Sequence, residues 1–206
     1  MNYLEFRKIA GNQHVIDMRN VVNYFGSFDR RRLYEWQQKG YITKITNDFY
    51  LFSDVDVNED ILRDIASKIY QPSYIGLESA MAYYRFIPEA VFQTISVTTQ
   101  RNKFFKTSVG DFRYRAIKEN LFFGYRAVEA GSDHFFISDP EKTILDMFYF
   151  LASTDRRVVI ESLRLNFFEI RSNVSLEKMA GYLKLFSSRK MNKAFQHFKE
   201  MLNAES

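Results

Sequence analysis

The stretch Ser27-Phe28-Asp29-Arg30-Arg31-Arg32-Leu33-Tyr34-Glu35-Trp36-Gln37-Gln38-Lys39-Gly40 runs on into Tyr41-Ile42-Thr43-Lys44-Ile45-Thr46-Asn47-Asp48-Phe49-Tyr50-Leu51-Phe52. Ser27 carries the side-chain oxygen that caps a helix, Leu33 and Trp36 share one stripe, and Gly40 is a stop, so the spacing predicts a helix over 28–39. At about 100° per residue, Arg31, Tyr34, Glu35 and Gln38 fall opposite the Leu33/Trp36 stripe, with Arg30 and Arg32 on the flanks. The exposed face is therefore basic and rich in hydrogen-bonding groups. Residues 41–45 and 49–52 read as two strands joined by Thr46-Asn47-Asp48, whose Asn and Asp tolerate positive φ.

Working back towards the N-terminus, Tyr3, Phe6, Ile9 and Ala10 mark a first helix over 2–10, stopped by Gly11. Asp17 caps a second helix, in which Met18, Val21, Val22 and Phe25 repeat at helical spacing before Gly26 ends it. Three helices and a β hairpin make the winged variant of the helix-turn-helix. Such a module lays its third helix in the major groove of DNA. There Arg30 or Arg31 can bond guanine edges and Gln38 adenine, with Tyr34 on the same face. Ser27, the helix N-terminus and Lys44 hold phosphates. Asn47, at the tip of the wing, is a further candidate contact to DNA.

The charge distribution supports a division near Ser53. Residues 1–53 hold eight Lys/Arg against five Asp/Glu, whereas residues 54–70 carry Asp54, Asp56, Glu59, Asp60 and Asp64 against Arg63 and Lys68. An acidic joint after a basic head suits a linker between modules, 1–53 and 54–206. The second module has a helix over 59–70 and a small-residue element over 75–84. Strand-like runs follow at 94–99, 112–117, 122–128 and 134–137, read as one antiparallel sheet. Ser138-Asp139-Pro140-Glu141 is a strong helix start, with Ile144, Leu145, Phe148 and Leu151 as its buried stripe. Two amphipathic helices complete the chain, over 176–186 and 189–202. The fold class is thus α+β: an N-terminal winged helix-turn-helix, then an α+β domain with a mainly antiparallel sheet and C-terminal helices.

Composition narrows the chemistry. The 206 residues have no cysteine, which removes disulfides, thiol nucleophiles and Cys-ligated zinc and makes the cytoplasm the expected compartment. His14, His134 and His197 lack metal-binding spacing and read as structural or exposed, so no metal or cofactor is expected. The longest apolar run, 147–152, is far below a membrane span, and neither a membrane partner nor a targeting segment is expected. Asp54-Val55-Asp56 and Gly131-Ser132-Asp133 lack the strand–helix context of a nucleotidyltransferase. Asp139-Pro140-Glu141-Lys142 lacks the one-residue spacing between Glu and Lys that a nuclease strand requires. With no phosphate-cradling glycine loop either, the chain does not read as an enzyme.

The residues taken together resemble the AbiE-type abortive-infection antitoxins, regulators of phage-defence loci. The resemblance rests on an ordered set: Gly40-Tyr41-Ile42 and Phe49-Tyr50, Tyr74-Ile75-Gly76-Leu77-Glu78-Ser79-Ala80, and Ile95-Ser96-Val97-Thr98-Thr99. It continues with Phe112-Arg113-Tyr114-Arg115, Phe123-Gly124-Tyr125 and Ser138-Asp139-Pro140-Glu141-Lys142-Thr143-Ile144-Leu145-Asp146, and covers roughly residues 10–200. It implies an N-terminal domain that binds double-stranded DNA at repeated sites in its own promoter and represses its operon. It also implies a C-terminal domain that counteracts a nucleotidyltransferase-like toxin in a type IV toxin-antitoxin system, with no stable complex implied. An alternative is a solitary regulator, or an RNA- or protein-binding module. That reading works through the basic residues Arg101, Lys103, Lys106, Arg113 and Arg115 and, on the last helix, Lys190 and Lys193. Phe104-Phe105, set between Lys103 and Lys106, can stack on single-stranded RNA.

Overall fold

The first helix, α1 (Tyr3–Ala10), starts on a reciprocal cap: Asn2 Oδ1 accepts from the Glu5 N–H at 3.0 Å and the Asn2 N–H donates to Glu5 Oε2 at 2.8 Å. It leads into β1 (Val15–Asp17) and α2 (Met18–Phe25), and Asp17 caps α2 as its sequence predicts, accepting from the Arg19 N–H at 2.9 Å. Next come α3 (Arg31–Gln38), β2 (Ile42–Thr46) and β3 (Phe49–Phe52). This computed structural model describes residues 2–11, 13–25, 28–131, 133–151 and 163–204, and of Phe25 the backbone alone.

Two details depart from the sequence reading of this region. α3 begins at Arg31 rather than near Phe28, because Asp29 closes its first turn: Asp29 Oδ1 accepts from the Arg31 N–H at 3.0 Å and its carbonyl from the Arg32 N–H at 3.1 Å. Gly26 and Ser27, the expected helix stop and cap, lie outside the described residues. The second departure is β1, which has no visible alternation and exists by pairing with β3, Val15 opposite Leu51 and Asp17 opposite Phe49. The hairpin is thus part of a three-stranded sheet of order β1-β3-β2.

Both faces of that sheet are covered. Ile16, Ile42, Tyr50 and Phe52 face the helices and join Phe6, Met18, Val21, Leu33 and Trp36 in one core, where the Phe6 and Trp36 rings stand 4.7 Å apart. The alternate positions, Val15, Ile45, Phe49 and Leu51, belong to the larger core formed with the rest of the chain. They meet α4 (Glu59–Ile69), which buries Ile61, Ile65 and Ala66. Asn58 caps α4, accepting from the Ile61 N–H at 3.0 Å.

Beyond α4 lies a six-stranded sheet of order β6-β7-β5-β4-β9-β8: β4 (Ser73–Ile75), β5 (Gln93–Thr98), β6 (Lys103–Lys106), β7 (Asp111–Ala116), β8 (Tyr125–Ala130) and β9 (Asp133–Ser138). Three of its pairings are antiparallel and two, β4 with β9 and β5 with β7, are parallel. The sheet is therefore mixed. Side-chain alternation is the same in both pairings, so it carries no strand direction. One face packs on α4, where the Tyr114 hydroxyl donates to the Ala66 carbonyl at 2.7 Å. The other packs on α6 (Pro140–Phe150), and α8 (Leu176–Phe186) and α9 (Arg189–Ala204) stack outside α6. α7 (Phe167–Asn173) precedes that pair.

The small-residue element 75–84 resolves into β4 and α5 (Leu77–Tyr83), which runs beside β5 where β4 stops. Ser79 Oγ accepts from the Ile95 N–H at 2.8 Å, and a Cβ at Gly76 would sit 2.8 Å from Val97 Cγ2, which explains the glycine. Among the described residues, no helix is long and apolar enough to cross a membrane.

Candidate nucleic-acid interface

Leu33 and Trp36 anchor α3 in the N-terminal core, and the opposite face is open. Arg31, Tyr34, Glu35 and Gln38 are exposed, Tyr34 by 67%, as the 3.6-residue repeat predicts. Arg31 and Gln38 enter no ion pair or side-chain hydrogen bond among the described residues, so their donors are open to a ligand. Arg30 is placed differently. It precedes the helix, and Nη1 pairs with Asp48 Oδ1 at 2.8 Å, tying the start of α3 to the tip of the β2–β3 hairpin.

Asp48 has φ 64°, the conformation its sequence predicts for the turn, and its carbonyl accepts from the Met18 N–H at 2.8 Å. Lys44 is exposed on β2 opposite Tyr50, and Asn47 is exposed at the tip. Two further arginines of this region are already paired. Arg7 makes a bidentate pair with Asp54 at 2.7 and 3.0 Å, and Arg19 pairs with Asp17 at 2.6 Å while lying over the Phe49 ring. The Arg7 bond holds the Asp54 carboxyl below its ordinary value. The exposed cations left beside α3 and the hairpin are Arg31, Lys39 and Lys44, with Arg32 half-buried.

Pairing of β6 with β7 gathers most of the second basic group. Phe104 stands opposite Arg113 and Lys106 opposite Asp111. Arg113 donates to Gln93 Oε1 at 3.1 Å and lies 5.5 Å from the Phe104 ring, which is 48% exposed, and Lys103 lies over Phe105. Arg101 is exposed at the same edge, its carbonyl accepting from the Tyr70 hydroxyl at 3.1 Å. Arg115 is drawn back over the Phe150 ring at the end of α6. Lys190 and Lys193 are exposed on α9, and Lys190 lines a separate cleft of about 630 Å³ with Lys118 and Arg189. The β6–β7 turn reaches the hairpin, where Ser108 Oγ donates to the Lys44 carbonyl at 3.4 Å. The β6–β7 edge and Lys44 therefore neighbour one another.

A concentrated polar group that the sequence analysis did not single out lies inside the protein. Lys142 and Asp146, one turn apart on α6, are fully buried and paired, and the Tyr74 hydroxyl donates to Asp146 Oδ2 at 2.7 Å while accepting from Lys142 Nζ at 2.9 Å. Burial pushes the Asp146 carboxyl up and the Lys142 ammonium down, and their mutual contact opposes both effects. Gly124 lies against the Lys142 stem, where a Cβ would come within 3.2 Å, and its carbonyl accepts from the Asp139 N–H at 2.9 Å. The stretches beginning at Tyr74, Phe123 and Ser138 thus converge on Lys142. The helical spacing of Lys142 and Asp146 was a signal for this group, but the third member comes from a strand.

Asp139 and Glu141, set aside as catalytic, have partners of their own. Asp139 caps α6, accepting from the Lys142 N–H at 3.0 Å, and Glu141 holds Lys178 Nζ and the Ser175 N–H at 2.8 Å each, so Glu141 and Lys142 face different neighbours. Burial works to lower the Lys178 ammonium, yet its bonds to Glu141 and Asp139 hold it above its ordinary value. Gly131 forms the β8–β9 turn with φ 64°, and Ser132 lies outside the described residues. Neither a protein-family model nor a curated protein matches this chain.

Proposed function

We propose that residues 1–53 are a winged helix-turn-helix that binds double-stranded DNA and that the chain is an AbiE-type antitoxin and autorepressor. The observation that carries the reading is the outward row of Arg31, Tyr34 and Gln38, exposed and without side-chain partners among the described residues, with Lys44 exposed on the hairpin that Arg30 ties to α3. In this reading α3 enters the major groove, Arg31 donates to a guanine edge and Gln38 bonds an adenine. Lys44 and Lys39 neutralise phosphates, and Arg30 fixes the angle between α3 and the wing through Asp48. The remainder of the chain counteracts a nucleotidyltransferase-like toxin without forming a stable complex with it.

Fluorescence anisotropy on the duplex upstream of the chain's own gene, against a scrambled duplex and across about 50 to 200 mM salt, tests the DNA reading. A preference for the upstream duplex that survives the salt series supports it. Equal, steeply salt-dependent binding to both duplexes removes it. A second reading, single-stranded RNA binding by the β6–β7 edge, is favoured by the exposed Phe104 ring stacked with Arg113 and flanked by Lys103 and Lys106. Phe104→Ala lowers affinity for an unstructured RNA in that case and leaves the duplex unaffected.

A further inference from the structure

Three side chains from distant parts of the chain meet between the N-terminal sheet and the six-stranded sheet. His14 immediately precedes β1, Asp64 lies on α4 and Asp133 opens β9, and one ligand atom from each falls within 4.8 Å of the other two. Asp64 is completely buried, and its Oδ1 has no hydrogen-bond partner. His14 Nδ1 is also buried without a hydrogen bond, 3.8 Å from Asp133 Oδ2. Burying a carboxylate oxygen and an imidazole nitrogen side by side without partners is costly unless something binds both.

Lys68 does not fill that role. Its ammonium bridges the opposite oxygens of the two acids, Asp64 Oδ2 at 3.0 Å and Asp133 Oδ1 at 2.9 Å. It orients both carboxylates and offsets one of their charges while leaving Asp64 Oδ1 without a hydrogen bond. The imidazole is held as well: the His14 N–H donates to Asp133 Oδ2 at 3.2 Å, and the ring rests against Gly131, where a Cβ would come within 3.2 Å of Cε1.

We propose that His14 Nδ1, Asp64 Oδ1 and Asp133 Oδ2 form a binding site for one divalent transition-metal ion, zinc by preference. Zinc takes imidazole nitrogen and carboxylate oxygen at about 2.0 to 2.2 Å in a tetrahedral arrangement, so ligand atoms on one ion stand about 3.3 to 3.6 Å apart. The 3.8 Å edge closes with a contraction of about 0.4 Å, and no edge, at 4.8 Å or less, needs more than about 1.5 Å, which side-chain rotation supplies. An imidazole ligand disfavours magnesium and calcium, which prefer oxygen alone. Lys68 is the outer partner that aims the carboxylates. The bound ion joins β1, α4 and β9, fixing the N-terminal sheet on the rest of the chain.

Calorimetric titration of the full-length, metal-free protein with zinc chloride tests the site, with manganese and magnesium chloride in parallel. One zinc per chain is expected, with magnesium binding more weakly, and a rise in melting temperature at one equivalent. His14→Gln, a partly exposed position, is expected to weaken zinc by about 10-fold or more and to cancel the thermal shift, with metal-free stability kept. Asp133→Asn is expected to weaken zinc likewise, at some loss of metal-free stability because Asp133 also pairs with Lys68. His134→Gln and His197→Gln leave affinity unchanged, which separates the site from adventitious histidine binding. Equal zinc affinity in His14→Gln and the parent chain, or no heat with the parent chain, overturns the proposal.

Discussion

α3 and α6 each carry three charged residues, and the protein uses them in opposite ways. Arg31, Arg32 and Glu35 lie at the surface of a helix anchored by Leu33 and Trp36. Glu141, Lys142 and Asp146 lie inside, on a helix enclosed by the sheet on one side and by α8 and α9 on the other. Charge type therefore says little about role until burial and partners are known. A charge left in water costs little to keep and remains available to a ligand. A buried charge must be matched by its neighbours and is then spoken for.

The largest effect expected from this contrast is inside. Asp146→Ala leaves the Lys142 ammonium buried with Tyr74 as its one polar partner among the described residues and should cost about 3 to 5 kcal/mol in denaturant unfolding. The double variant Lys142→Met with Asp146→Leu, which removes both charges, should lose less than Asp146→Ala alone. A loss below about 1 kcal/mol for Asp146→Ala would mean that Lys142 is not held by this pair, and the contrast with α3 fails.

On the outer helix the expectations invert. Arg31→Ala should leave stability within about 0.5 kcal/mol and weaken binding to the upstream duplex by about 1 to 3 kcal/mol, with less effect on scrambled DNA. Unchanged affinity in the anisotropy assay removes Arg31 from base reading. Lys44→Ala should weaken both duplexes alike and reduce the salt slope by about 1. A loss confined to the upstream duplex would place Lys44 on a base edge instead.

The smallest effect belongs to the exposed pair of Arg7 and Asp54, whose carboxylate is 61% exposed. Arg7 lowers the Asp54 value in the folded state, so the stabilisation is fully present above the unfolded value near 3.8 and is lost as pH falls through the lower folded value. Solvent screening keeps it under about 1 kcal/mol. Asp54→Asn should flatten the acid limb of a melting-temperature series slightly, and a drop of many degrees at neutral pH would show that the pair holds the N-terminal module in place.

The same physics explains which parts could be read in advance. The stripes of α4, α8 and α9 were legible because Ile61, Ile65 and Ile69, or Met191, Ala194, Phe195 and Phe198, recur at the helical period and are buried as predicted. The exposed face of α3 follows from the same rule. Its start was misplaced because Asp29 and Ser27 are both good caps, and the bond to the Arg31 N–H comes from Asp29. β1, β4 and β6 escaped notice because strands of three or four residues show too little alternation. The hairpin hid a further fact, that both of its faces are covered, since Val15, Ile45, Phe49 and Leu51 join the larger core.

What the sequence determined alone are the local features: helix faces, the caps at Asp17 and Asp139, the positive-φ turn at Asp48, and the outward donors of α3 and β2. These depend on residues three or four apart, and local stereochemistry suffices. The tertiary structure decided strand order and direction, the Arg30–Asp48 bridge, the buried Lys142–Asp146–Tyr74 group and the meeting of His14, Asp64 and Asp133. Tyr74 and Asp146 are 72 residues apart, and His14 and Asp133 are 119 apart. No periodicity spans such distances. Packing of α4 and α6 against the two faces of one sheet brings those polar groups together and away from water, and that burial assigns each its partner.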